Sequence, residues 1–593
     1  MHASPHDSSP ALVPAIDTAL AQWERHGRPG LPEHGFALSR PPGRRRHGIY
    51  RADTGSPVFE PEGHILRMAP SPDGRSICVQ LAERADEDAA LGLVDAATGA
   101  LRLYPEVRCR YDPMLWDDDS SGVELVAGGS RRLVRLDAGT GRSTAAAVPP
   151  DTRLRLFPGG RRGLLAESRS GRPSRLVDRA TGVELAAFAA IVRVVPVGDD
   201  IVVDDGVRLH GLDPGSGAHR WRWGDPDLRV TSLAAHGQDI VAVGVRAGRS
   251  VIVRLVQGAV AAEREVTYRG GPAVATGVSA DAGRFHALVE GPALPPRVVP
   301  AEELLSDPAE ELLSDRPATV RRPAPAHTEH HVFTAEDGAR VPVVVTSPAD
   351  AKGPAPLILT CYGGFGVPSL PTFEPTVPAW IEQGGRYAIA QVRGGGEHGP
   401  AWRRAGHGLA KGRGIDDLTV IARGLVEAGL TRPDLLVLAG ASHGGVLATS
   451  CALGSPDLCA GVVSTAAPLD LLNLGAHPLG QRWADEFGAS DTPEGREHLR
   501  RISPLHRAGA LASGTALPRF LGIVLAEDSR VAADDTLAVA DALRRVGGSA
   551  TVWRAPGTGH GGNHLDSLHR LGATVLSFAA ATTGSAQTAP STT

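Results

Sequence analysis

The segment Gly440-Ala441-Ser442-His443-Gly444-Gly445 constrains this chain more than any other. It stands between an apolar run, Leu435-Leu436-Val437-Leu438, and a small-residue helical stretch that begins Val446-Leu447-Ala448. A buried strand must therefore turn sharply into a helix at Ser442, with glycines on either side to let the backbone close and the hydroxyl projecting above the sheet edge. Such a turn belongs to a doubly wound, mostly parallel sheet. It also marks Ser442 as a candidate nucleophile, and an alcohol of high pKa is inert without a base to take its proton and a third group to orient that base.

Both follow along the chain. A second apolar strand, Phe520 to Leu525, leads into Ala526-Glu527-Asp528-Ser529-Arg530, where Asp528 is the candidate orienting acid. A helix from Asp534 to Val546 and a third strand, Ala550 to Trp553, then lead to the loop Gly557-Thr558-Gly559-His560-Gly561-Gly562, where His560 is the candidate base. Ser, Asp and His in this order, each just after a strand, is the chain order of an α/β-hydrolase and differs from that of the chymotrypsin and subtilisin folds. Glu527, Asp534 and Asp535 compete with Asp528, since acidic residues also collect at helix starts. His564 and His569 fall on a helical stretch, where a solvent-facing histidine is the ordinary case.

Further blocks surround the elbow. They are Cys361-Tyr362-Gly363-Gly364-Phe365, Arg393-Gly394-Gly395-Gly396-Glu397-His398-Gly399, Trp483-Ala484-Asp485-Glu486-Phe487-Gly488 and Ser503-Pro504-Leu505-His506. In this order they resemble the catalytic domain of the prolyl oligopeptidase family of serine peptidases, from about Val332 to Leu576. The resemblance implies an oxyanion hole made by the Tyr362 hydroxyl and the His443 backbone N–H. It implies a proline pocket walled by Phe365 and Trp483 and lined by Phe487, Pro468 and Val531, with Arg530 binding the carbonyl of the residue before that proline. A proline ring is flat, apolar and lacks an N–H, so aromatic faces hold it without stranding a donor. Three departures bear on how strictly proline is preferred: Phe487 stands where tyrosine is common, Pro468 where a small aliphatic residue is usual, and the Ala526 to Arg530 loop is one residue shorter.

The first half is built differently. Asp95-Ala96-Ala97-Thr98-Gly99, Asp137-Ala138-Gly139-Thr140-Gly141, Asp178-Arg179-Ala180-Thr181-Gly182 and Asp213-Pro214-Gly215-Ser216-Gly217 repeat at intervals of 42, 41 and 35 residues. Each follows an alternating apolar strand, so each reads as a hairpin turn in a propeller blade. Ser71-Pro72-Asp73-Gly74 and Ser279-Ala280-Asp281-Ala282-Gly283 read as turns of the first and last blades. The period gives six or seven blades. By the resemblance, a propeller capping the triad would exclude folded proteins and admit short or flexible peptides.

These readings divide the chain into an N-terminal segment, 1–55, whose Pro14 to His26 helix packs on the hydrolase domain. A propeller follows at 56–310, a linker at 311–326, the hydrolase domain at 327–580 and, rich in Thr, Ser and Ala, an expected disordered tail at 581–593. The linker region contains a near-verbatim duplication, Ala301 to Pro308 and Ala309 to Arg316. His327, His330 and His331 follow it without the Cys or carboxylate set a metal would need, so no metal and no cofactor is expected. A hydrophobic content of 42% in 593 residues suffices for two cores, and a net charge of -5 makes no electrostatic case for nucleic acid. Five cysteines without metal-ligand spacing read as reduced thiols, and neither a signal peptide nor a membrane span is evident, so a cytoplasmic monomer is expected. The reading is a peptidase that cleaves short or flexible peptides after proline through an acyl-enzyme. Alternatives are a precursor-processing enzyme that removes a leader or macrocyclises, an acylaminoacyl peptidase or esterase, and, outside catalysis, an inactive binding protein.

Overall fold

The repeated turns fix the architecture of the first half. In each of the four, the aspartate Oδ1 accepts from the backbone N–H and the hydroxyl of the Thr or Ser three residues on, at 2.7–2.8 Å. The closing glycine takes φ of +71° to +72°, a region in which a Cβ would be strained. Each turn joins the third and fourth strands of a four-stranded antiparallel sheet. The computed structural model describes residues 13–584 apart from 128–131, 159–162, 170, 269–270, 307–325, 481–482, 489–490 and 562–564. His564 and most of the duplicated segment lie outside the described residues.

Five four-stranded sheets, at residues 64–109, 114–147, 152–188, 193–223 and 228–265, and two three-stranded ones, at 36–59 and 274–300, form a seven-bladed propeller. Blade one corrects the expected boundary at residue 55. Phe36–Ser39 and Gly48–Arg51 pair with each other, and the latter pairs with Pro57–Phe59, so 36–51 share a propeller sheet. The periodic turn signal passes over this blade because its own turn is the shortened Asp53-Thr54-Gly55. Blade one packs through Phe36 and Ile49 on Ile65, Met68 and Ile77 of blade two. Towards blade seven, the Gly35 N–H donates to Asp281 Oδ1 at 2.9 Å. Among the described residues no strand of blade one pairs with blade seven, so the ring is not closed by strand pairing between them.

The second half is an eight-stranded sheet: β1 (Ala326–Thr334), β2 (Arg340–Pro348), β3 (Leu357–Cys361), β4 (Arg386–Ala390), β5 (Leu436–Ala441), β6 (Gly461–Thr465), β7 (Arg519–Leu525) and β8 (Ala550–Ala555). The order is β1-β2-β4-β3-β5-β6-β7-β8, antiparallel through β4 and parallel from there on. The apolar strands are buried on both faces because helices cover both. On one face lie α2 (Gly412–Glu427), α3 (His443–Gly454) and α4 (Asp534–Arg545); on the other lie α1 (Pro14–Glu24) and α5 (Leu565–Thr583). Helix α1 presents Ile16, Ala19, Leu20 and Trp23 to that second core.

His569, expected at the solvent face of its helix, instead joins α5 to α1. Its Nδ1 lies 2.7 Å from Glu24 Oε2 and its Nε2 2.9 Å from Asp17 Oδ1. The hydrogen bond to Glu24 comes first; with the bond to Asp17 and both charges it outweighs burial and lifts the imidazole to about 9. A pKa raised in the folded state contributes stability that is complete below the unfolded value of about 6.5 and is lost as pH rises through about 9. Replacing His569 by Gln should lower the Tm by about 2–4 °C near pH 6, with the gap to wild type closing by pH 10. Thermal melts across that range check this, and a gap independent of pH contradicts it.

Candidate active site

Strand β5 ends at Ala441, and the chain reverses into α3 through Ser442 at φ +52°, ψ -123°, a conformation costing on the order of 1–3 kcal/mol. The neighbours explain why it persists. A Cβ on Gly440 would lie 2.2 Å from the Gly444 backbone, one on Gly444 2.1 Å from the Cys361 carbonyl, and one on Gly445 2.7 Å from the Ala467 Cβ. Glycine at all three lets β3, β5 and α3 approach closely, while the Ser442 N–H donates to the Thr465 carbonyl at 2.8 Å. Ser442 is half-buried. As the first residue of α3, His443 has a backbone N–H without an acceptor inside the helix, at the positive end of the helix dipole.

The expected acid and base meet. His560 Nδ1 lies 2.8 Å from Asp528 Oδ2, and Asp528 Oδ1 accepts from the backbone N–H groups of Arg530 at 2.7 Å and Val531 at 3.0 Å. Burial pushes the Asp528 carboxyl up, but the bond and charge of His560 and the two N–H donors outweigh it and hold it below its ordinary value. An ionised Asp528 fixes the tautomer with a proton on Nδ1 and leaves Nε2 as the acceptor. The competitors point elsewhere: Glu527 Oε2 accepts from the Ala85 N–H at 3.2 Å, and Asp535 Oδ2 engages the Asp470 N–H at 2.8 Å and His477 at 3.0 Å.

Three of the expected aromatic residues converge on the His443 ring. Phe487 stacks on it with centroids 5.0 Å apart, Tyr362 is tilted at 5.6 Å, and Phe365 meets it edge-on at 5.8 Å. Burial, then the nearby Lys411 charge, hold this imidazole far below its usual pKa, so it is neutral and Nδ1 donates to the Tyr362 carbonyl at 2.6 Å. Phe487 is only 1% exposed and backs the pocket through His443. Trp483 packs beside His477 at 5.7 Å, and Pro468 and Val531 are buried. Burial and then Glu486 push the Tyr362 hydroxyl up, which keeps it a proton donor.

Two buried ion pairs brace these loops. Arg393 donates from Nε and Nη2 to Asp417 of α2 at 2.6–3.1 Å, pinning the glycine-rich 393–397 turn. Lys411, one of two lysines in the chain, is fully buried; it pairs with Glu486 and reaches the Gly363 carbonyl at 3.4 Å, tying the Tyr362 loop to the segment that carries Phe487.

Sequence reasoning missed the propeller's contribution. Glu87, in the loop between the second and third strands of blade two, is 1% exposed and adopts φ +65°. Its carboxylate accepts from Arg530 Nε at 3.0 Å and Nη2 at 2.5 Å and also from Arg110, which in turn donates to Ser529 Oγ at 2.9 Å. Glu87 is 443 residues from Arg530 and lies in no motif, so no local signal points to it. A Cβ on Gly559 would sit 1.9 Å from the Ala85 carbonyl, so the same loop lies directly on the histidine loop. Among the described residues no group of metal-ligating side chains assembles.

A serine on a strained strand-to-helix turn, a histidine hydrogen-bonded to an ionised carboxylate and a propeller loop resting on the histidine loop make up the candidate site. Residues 371–586 match the prolyl oligopeptidase family. It is 33% identical to the prolyl endopeptidase of Elizabethkingia miricola over 207 residues, which is 34% of this chain and 29% of that protein. It is 36% identical to an uncharacterized peptidase of Sinorhizobium fredii over 201 residues, 33% of this chain and 27% of the relative. The matched segments thus span under a third of these relatives' own lengths. A solved structure from an analysis of two prolyl endopeptidases shares the fold, with a TM-score of 0.82 over 96% of this chain and 92% of its own at 21% identity.

Because Glu87 orients Arg530 with two hydrogen bonds, Glu87→Gln should raise KM for a Gly-Pro peptide about tenfold and change kcat less than about threefold. Steady-state kinetics check this; an unchanged KM contradicts the positioning role.

Proposed function

We propose that the protein is a serine peptidase that cleaves short or flexible peptides on the C-terminal side of proline. The observation that carries the reading is that the strained Ser442, Asp528 and His560 all follow the C-terminal ends of the parallel strands β5, β7 and β8, with Asp528 hydrogen-bonded to His560. Ser442 Oγ attacks the scissile carbonyl carbon as its proton passes to His560 Nε2. The oxyanion accepts from the His443 N–H and the Tyr362 hydroxyl, donors worth on the order of 10²–10³ in rate each. The C–N bond breaks, His560 gives the proton to the leaving amine, and an ester remains on Ser442. Water, deprotonated by the same histidine, then releases the acid and restores Ser442.

Phe365 and Trp483 supply apolar surface for a proline ring, and Arg530 supplies the donor for the preceding carbonyl. The propeller loop at Ala85–Glu87 covers the histidine loop, so a folded protein cannot reach Ser442 unless the domains separate. The five cysteines are unpaired and buried, which suits a reducing compartment, and we place the protein in the cytoplasm. No helix among the described residues is long and apolar enough to cross a membrane.

A panel of blocked dipeptide chromogenic amides tests the specificity. Gly-Pro should be hydrolysed best, with turnover lost in Ser442→Ala and reduced about 10⁴-fold in Asp528→Asn, which loses the required tautomer. Alanine or bulky residues outperforming proline would overturn the proline reading. Hydrolysis that survives Ser442→Ala would overturn the mechanism.

A further inference from the structure

A cavity of about 550 Å³ lies between α1, the 40–47 loop of blade one, the first strand of blade two and the start of α5. That volume is within the range of roughly 300–1,000 Å³ typical of ligand sites. Leu20, Leu38, Ile65, Leu66, Leu565 and Leu568 make its apolar wall, and one end reaches Gly561, directly after His560. His47 and Glu374 line it with solvent-exposed side chains.

Its charges do not balance. Four guanidiniums, of Arg28, Arg40, Arg45 and Arg46, line it against the carboxylates of Glu24 and Glu374. Glu24 is taken by His569, Arg28 stands 3.7 Å from Glu374, and Arg45 bonds Asp566 at 2.9 Å. Arg40 is 6% exposed and donates only to the carbonyls of Glu24, His26 and Arg44. Arg46 is exposed to the cavity and makes no hydrogen bond or ion pair with any described residue. Arg40 and Arg46, cations without a carboxylate partner close to Gly561 of the histidine loop, are arranged to receive an anion from a peptide held at Ser442.

We propose that this cavity is an anion-binding subsite that holds a carboxylate-bearing stretch of the peptide whose scissile bond lies at Ser442. The proposal rests on the peptidase reading and names a substrate class for it: peptides carrying acidic residues or a free C-terminal carboxylate a few residues from the cleaved proline. The short blocked Gly-Pro amide does not reach the cavity, so it reports the catalytic centre alone.

The test uses quenched fluorogenic peptides with one Gly-Pro site and either four Glu or four Gln at one end, each made with a free and an amidated C-terminus. Wild type, Arg46→Ala and Arg46→Glu are compared. The Glu peptides should be favoured about tenfold in kcat/KM at one of the two ends, mainly through KM. The preference should shrink several-fold in Arg46→Ala and vanish in Arg46→Glu, with turnover of the short amide unchanged. A preference that survives amidation assigns side-chain carboxylates; one that needs the free end assigns the terminal carboxylate. Equal kcat/KM for Glu and Gln peptides at both ends, or a Glu preference that Arg46→Glu leaves intact, overturns the subsite. If the short amide is not turned over, the peptidase reading has failed and the cavity is judged by binding. Fluorescein-labelled tetraglutamate should then bind the Ser442→Ala protein and be weakened at least tenfold by adding Arg46→Glu, and equal binding overturns the proposal.

Discussion

The structure depends on one strained residue. Ser442 sits at φ +52° between β5 and α3, and it stays there because β3, β5, β6 and α3 meet at a point where only glycine fits. The strain of about 1–3 kcal/mol is offset by the buried sheet around it. That turn does two jobs at once. It lifts the hydroxyl above the sheet edge, and it aims the first N–H of α3 at the same space. The loops after β7 and β8 then need only ordinary geometry to bring Asp528 and His560 alongside.

The propeller belongs to the site as well as covering it. Ala85 rests on the histidine loop, Glu87 orients Arg530, and Arg110 donates to Ser529. On the other side of the cleft, Arg229 of blade six donates to the Gly366 carbonyl beside Phe365, and Gln391 Nε2 donates to the Gly248 carbonyl at 3.0 Å. Glu397, from the glycine-rich turn, is buried at this junction, and burial pushes its carboxyl up to about 7 despite the Ser369 N–H at 2.6 Å. Separating the domains would break these polar contacts and release Arg530 from Glu87 in the same step.

The hydrolase half was legible because its chemistry is local: an elbow with obligatory glycines, and an acid and a histidine each just after an apolar strand. The propeller was legible from the Asp-x-x-Thr-Gly turns, whose aspartate and closing glycine have fixed jobs. Blade one was not, because its turn is a shortened copy and its strands precede the periodic region. Glu87 and the His569 bridge escaped for another reason. Their partners are hundreds of residues away, and a buried acid or a doubly bonded histidine has the same sequence appearance as a solvated one. Lys411 shows the same limit: scarcity of lysine in the sequence reflected composition, while the fold buries this one against Glu486 behind the site.

The central claim is that the geometry around Ser442 makes this one hydroxyl, among all the serines of the chain, a nucleophile. Intact-mass measurement after brief exposure to a fluorophosphonate tests it most directly. The account predicts one adduct per chain, mapped to Ser442 by peptide sequencing and absent from Ser442→Ala. A wild-type protein that remains unlabelled while natively folded, or one labelled elsewhere, would contradict it.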